Sequence, residues 1–173
     1  MRGLFRLLVS LPLLAAIPAP AHSQTIVYLV RHAEPTLPAM GSNSDPHLNL
    51  AGQERSHALR HVLGQAGITR VFSTDYNRTR ETVTPLADAL GLKVEIYDPR
   101  APEKLVDFLK HTPGRFVVAG HSNTTPQLVS LLGGDPGEPI NENYEFDRLY
   151  QVVIAADGTV TTTLLRYGAV SGS

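Results

Sequence analysis

The apolar positions of this chain gather into short runs separated by longer amphipathic stretches. Ile26–Val30, Thr69–Phe72, Lys93–Tyr97 and Arg115–Ala119 have strand length and are rich in β-branched residues. Between and after them, helical spacing predicts helices over Leu50–Gln65, Tyr76–Leu90, Pro102–Lys110 and Thr125–Leu132. Asn49 is placed to cap the first of these and Gly67 to stop the chain beyond it. Gly91 ends the second helix, where Pro85 predicts a kink or an earlier boundary. Pro sits in the first turn of the third and fourth helices, and Gly133-Gly134 comes after the last. Arg148–Ala155 and Thr159–Arg166 are two further strands joined across Asp157-Gly158, a hairpin signal. Glu34–His47 and 133–147 are rich in turn formers and read as loops. Strands alternating with helices predict an α/β fold, a mostly parallel sheet covered on both faces.

The first residues have a different pattern. Arg2 and Arg6 precede the apolar stretch Leu7–Ile17, and Ala19-Pro20-Ala21 and Ala21-His22-Ser23 offer small-residue cleavage sites. This is the layout of a signal peptide, too short in its apolar part to anchor the chain across a bilayer. The expected organisation is a signal peptide over residues 1–23, one domain over 24–167 and a flexible tail over 168–173. The expected location is the bacterial periplasm or the exterior, with no membrane span after cleavage.

Composition narrows the chemistry. The 173 residues suit a single domain, and 42% hydrophobic residues suffice for its core. A net charge of −1 offers no basic surface for nucleic acid. Without cysteine there are neither disulfides nor thiolate metal sites. His57 and His61 lie one helical turn apart, but nothing around them completes a metal site, so they read as a solvated face.

The candidate site lies at strand ends, where open α/β sheets collect their ligands. The first strand delivers Arg31 and His32. The second leads into Ser73 and, one helical turn on, Arg78; the fourth leads into His121, Ser122 and Asn123. Two guanidinium groups match phosphate oxygens, and the N-terminus of the next helix adds N–H donors. In such a pocket His32 is suited to attack phosphorus and His121 to stabilise the equatorial oxygens. Repulsion from Arg31 and Arg78 should keep His32 unprotonated. Ser122 and Asn123 either join the phosphate site or cap the next helix. Asp45 and His47 either touch substrate or serve their turn, the turn being favoured. Arg80 is expected to face solvent or an ion-pair partner, and Glu34 to be structural.

Four blocks resemble, in order, those of the histidine phosphatase (phosphoglycerate mutase-like) superfamily. Leu29-Val30-Arg31-His32-Ala33-Glu34 is similar to its Arg-His-Gly signature. Leu48-Asn49-Leu50-Ala51-Gly52 resembles its Leu-Thr-x-x-Gly helix start. Phe72 to Thr82 resembles the block carrying the second phosphate-binding Arg, with a Thr four residues later. Val118 to Thr124 resembles the block with the second catalytic His. The resemblance implies a three-layer α/β/α fold with strand order 3-2-4-1-5-6 and one antiparallel strand, the fifth. It implies a phosphohistidine on His32, phosphate bound by Arg31, Arg78 and His121, no cofactor and no metal.

The chain departs from the family in its acid. A Ser stands after His121 where acid phosphatases have Asp, and no mutase-type acid motif is recognisable between Glu95 and Glu103. The chain therefore looks closest to the short, SixA-like branch. The fifth strand would bring Glu142, Glu145 and Asp147 near the pocket, making Glu145 and Asp147 candidate proton donors. The expected activity is hydrolysis of a small phosphomonoester or phosphoramidate. The alternatives are a protein-phosphohistidine phosphatase and a degenerate phosphate-binding module that has lost turnover.

Overall fold

The computed structural model describes residues 24–37 and 45–172. The signal segment expected over 1–23 lies outside those residues, as do the tip of the loop after the first strand and Ser173.

Six strands form one sheet: β1 (Thr25–Arg31), β2 (Arg70–Ser73), β3 (Val94–Ile96), β4 (Gly114–Gly120), β5 (Arg148–Ile154) and β6 (Val160–Arg166). Their order is β3-β2-β4-β1-β5-β6. The first four are mutually parallel, and β5 is antiparallel to both β1 and β6. The helices are α1 (Leu50–Leu63), α2 (Asn77–Leu90), α3 (Glu103–His111) and α4 (Thr124–Leu131).

Alternation along β1 builds both halves of the core. Val27 and Leu29 join a cluster with Leu105, Leu109, Leu128 and Tyr150, on the side of α3 and α4. Ile26, Tyr28 and Val30 join the opposite cluster with Leu59, Leu63, Val83 and Leu86, from α1 and α2. Successive strand residues point to opposite faces, so a buried central strand must be apolar throughout.

Asn49 caps α1 by accepting the Gly52 amide at 2.9 Å. Gly52 itself cannot be larger, because a Cβ there would lie 2.3 Å from the Glu34 carbonyl oxygen. The helix thus packs directly on the loop that leaves β1. α2 runs unbroken through Pro85, where a kink or boundary was expected. The hairpin at Asp157-Gly158 forms, with Gly158 at a φ of 84°.

The segment after β6, expected as a flexible tail from residue 168, is hydrogen-bonded to the rest of the fold in places. Arg55 donates to the carbonyls of Tyr167 and Ala169 at 2.8 and 3.0 Å. The Ser171 hydroxyl accepts the Phe146 amide at 2.9 Å, and the Ser171 amide donates to Asp147. These bonds tie the segment after β6 to α1 and to the start of β5.

Candidate active site

Strand register makes the site. In the parallel pairing of β1 with β4, Arg31 lies opposite Gly120. The next residues on each strand, His32 and His121, therefore emerge side by side, and their ring centroids are 5.4 Å apart. The His32 amide still donates to the Gly120 carbonyl at 2.9 Å. Arg78 enters from the first turn of α2.

Small bonds lock the sequence blocks together. The Thr82 hydroxyl donates to the Arg78 carbonyl at 2.7 Å and accepts the Ala33 amide at 2.8 Å. That is the purpose of a Thr four residues after the Arg: it pins α2 to the loop carrying His32.

The His32 ring is buried, and its Nδ1–H donates to the Ala33 carbonyl at 2.8 Å. This leaves the lone pair on Nε2 free to act as nucleophile. Burial pulls the pKa down to about 3; Arg31, Arg78 and His121 add to this, against the Ala33 bond, which favours the protonated form. Desolvation is thus the larger cause, ahead of the charge repulsion expected from the sequence. His121 is pulled down to about 4, by burial first and then by Arg78 and Arg31. Its Nε2 is bonded to the Thr74 hydroxyl at 3.0 Å, and Thr74 meets the Thr79 hydroxyl at 2.8 Å.

Arg31 is held in an unusual way. Its guanidinium donates to three backbone carbonyls, those of Asn141, Glu142 and Glu145, at 3.2, 2.7 and 3.0 Å. It also lies 4.0 Å from the centroid of the Phe146 ring. Its Nε is buried with no partner among the described residues. Among the described residues no carboxylate pairs with it, and burial lowers its pKa to about 10, so it stays charged at neutral pH. Arg78 stacks over Tyr76, 4.8 Å from its centroid, and lies 3.5 Å from Asp45.

These groups line a cavity of about 460 Å³ with Tyr76, Arg100, Ser122, Asn123, Thr124 and Glu142. Of the sequence-predicted residues, Arg31, His32, Arg78, His121, Ser122 and Asn123 are thus brought together. Asn123 makes no side-chain cap on α4. A basic pocket with a neutral imidazole nucleophile can bind a phosphoryl group and accept it.

The expected proton donors are placed elsewhere. The Glu145 carboxylate accepts from Arg148 at 2.7 Å and from Arg166 at 2.8 Å. Burial would raise its pKa, but the bonds from Arg148, the Asn141 amide and Arg166 outweigh this and hold it below its ordinary value. Asp147 is paired with Arg166 at 2.6 Å, and its pKa is lowered in the same way against its burial. Neither carboxylate lines the cavity; both brace the start of β5. Glu34 is structural as expected, bonded to Arg55 at 2.6 Å. Asp45 accepts the Asn77 amide at 2.8 Å and so caps the start of α2 beside Arg78. His47 pairs with Glu81, and Arg80 with Asp75. His57 and His61 are exposed.

Thr74, Tyr76, Arg100 and Phe146 went unassigned in the sequence. Thr74 is placed by register: Ser73 pairs with Ala119, so the next residues on β2 run toward His121. Phe146, a loop residue far along the chain, is placed by no register and left no signal in the sequence.

The family model of the histidine phosphatase superfamily (branch 1) matches residues 27–100. This chain belongs to that superfamily. Among curated relatives, the protein named "Probable phosphoglycerate mutase GpmB" of Yersinia pestis is 36% identical over 133 residues, covering 75% of this chain and 60% of its own. Its Yersinia enterocolitica counterpart is 36% identical over 111 residues, covering 62% and 51%. The chain thus spans roughly half to three-fifths of the length of these relatives. Among solved structures, the protein histidine phosphatase SixA complexed with tungstate has a TM-score of 0.64 at 23% identity, covering 82% of this chain and 96% of its own. A mycobacterial glucosyl-3-phosphoglycerate phosphatase with inorganic phosphate has a TM-score of 0.62 at 15% identity, covering 84% and 98%. Both share the fold.

Proposed function

We propose that this superfamily member is a phosphatase that hydrolyses a small phosphomonoester, or a phosphoramidate, through a phosphohistidine on His32. The observation that carries this is the bond from His32 Nδ1 to the Ala33 carbonyl, which leaves Nε2 as a bare nucleophile in a pocket with two arginines. Nε2 attacks phosphorus, the P–O or P–N bond breaks, and its electron pair leaves with the departing group. Arg31, Arg78 and His121 stabilise the oxygens during transfer. Water then attacks phosphorus, the N–P bond returns its pair to Nε2, and phosphate departs. None of these steps calls on a metal or a cofactor.

The phosphoramidate branch is supported by the likeness to SixA and by the tied-up carboxylates Glu145 and Asp147, since an N–P bond asks less of a proton donor. Export is part of the same reading, and its support is the pattern of Arg2, Arg6, Leu7–Ile17 and Ala19-Pro20-Ala21. The test is incubation with p-nitrophenyl phosphate and with a phosphoramidate, beside His32→Ala. Phosphate release by the wild type that vanishes in the variant supports the reading. Phosphate binding without turnover of either compound would instead make this a binding module.

A further inference from the structure

We infer that Glu142 is the proton donor to the leaving group, and that this group lies in the groove adjoining the phosphate pocket. The inference rests on the phosphatase reading above.

The carboxylates around the site can be sorted by what already holds them. Glu34 is engaged by Arg55, Asp45 by the Asn77 amide and Arg78, Glu145 by Arg148 and Arg166, and Asp147 by Arg166 and Ser171. A carboxylate receiving such charge-assisted bonds has its oxygens turned to those partners rather than to a leaving group. Glu142 is different. Its side chain is exposed and makes no hydrogen bond or ion pair among the described residues, yet it lines the cavity that holds His32, Arg31, Arg78 and His121. Its backbone carbonyl accepts from Arg31 at 2.7 Å, which anchors the residue at the pocket wall. Its charge is the strongest of those favouring the protonated form of Arg31.

Position supplies the second half. A neighbouring groove of about 530 Å³ runs beside α4, with Pro126, Pro136, Pro139 and Ile140 in its walls. Ser122, Asn123 and Glu142 line both spaces. A substrate with its phosphoryl group against His32 and its body in the groove passes this junction. The bridging oxygen, bonded to phosphorus at one end and to the body at the other, lies there. Glu142 is the carboxylic residue that lines this junction.

The step balances. His32 Nε2 forms its bond to phosphorus, the P–O bond breaks, and the pair on the departing oxygen takes the Glu142 proton. The carboxylate then takes a proton from the water that attacks the phosphohistidine. The apolar groove walls fit a leaving alcohol with an apolar face, such as a ring, better than a second phosphate.

The test compares two esters on the full chain. p-Nitrophenolate departs as a stabilised anion, whereas an alkyl alcohol needs a proton. Glu142→Gln and Glu142→Ala should lower kcat on an alkyl phosphate about 10²-fold more than on p-nitrophenyl phosphate, the usual worth of a general acid. Urea unfolding of each variant checks that the fold is intact. Equal losses on both esters, or no loss on the alkyl ester, would overturn the assignment while leaving the phosphatase reading in place. If the wild type releases phosphate from a phosphoramidate but from neither ester, the Glu142 assignment falls and the phosphatase reading stands; if it turns over none of the three, both fall.

Discussion

Arg31 and Arg55 are both buried arginines, and they are satisfied in opposite ways. Arg55 meets the Glu34 carboxylate with Nε and one terminal nitrogen, and gives its remaining terminal nitrogen to the carbonyls of Tyr167 and Ala169. Its charge is matched, and its pKa is raised: burial works against this, but the Glu34 bonds prevail. Among the described residues Arg31 meets only neutral carbonyls and its Nε has no partner, and burial lowers its pKa. A buried charge without a counter-ion is costly unless a ligand supplies one. The contrast separates a strut from a socket. Arg55 joins α1, the loop after β1 and the chain end, whereas Arg31 and Arg78 hold positive charge in readiness for an anion. The Glu145–Arg148–Arg166–Asp147 network belongs with the strut.

The comparison breaks most visibly through the socket. His32→Ala should cut turnover of p-nitrophenyl phosphate at least about 10³-fold with its urea midpoint retained, since the residue carries the transferred group. If an appreciable rate survives in a folded variant, the socket has another nucleophile. The strut should behave in reverse. Arg55→Met leaves Glu34 half-buried and unpaired, and should lower unfolding free energy by about 2 kcal/mol in urea titration. A variant as stable as the wild type would show that the pair is not structural.

Acid sharpens the same contrast. His32 and His121 are held at about 3 and about 4, below the ordinary 6.5. Between those values the unfolded chain binds protons that the folded chain refuses, so their contribution to stability is present above about 6.5 and is lost as pH falls toward 3. From pH 7 to 5 the wild type should lose about 1–2 kcal/mol more than His32→Gln does. An identical pH dependence in the two proteins would mean that His32 is not buried as described. At the small end, Asn49→Ala removes the side-chain cap of the helix that carries Arg55 and should cost about 1 kcal/mol with turnover retained.

Much of the fold and the site was legible in the sequence, for identifiable reasons. The strands were readable because a buried parallel sheet demands continuous apolar runs. Arg31, His32 and His121 were readable because residues at the ends of parallel strands must gather at one edge of the sheet. Asn49 was readable because capping is local. The strand order came from the family resemblance, since local pattern does not encode which strand pairs with which. The features that stayed hidden depend on long-range partners. Glu145 and Asp147 looked available because Arg166, which reaches both from β6, lies 21 and 19 residues away in the chain. Pro85 was read as a kink or an earlier boundary, and α2 continues past it to Leu90.

The most direct test of the account is chemical trapping of the intermediate. The protein is mixed with a phosphorylated substrate, denatured rapidly under alkaline conditions, digested and sequenced by mass spectrometry. The account predicts a phosphoryl group on His32, absent from His32→Ala and present in Glu142→Gln. A phosphoryl group on His121 instead, or steady turnover with no adduct on any histidine, would contradict it.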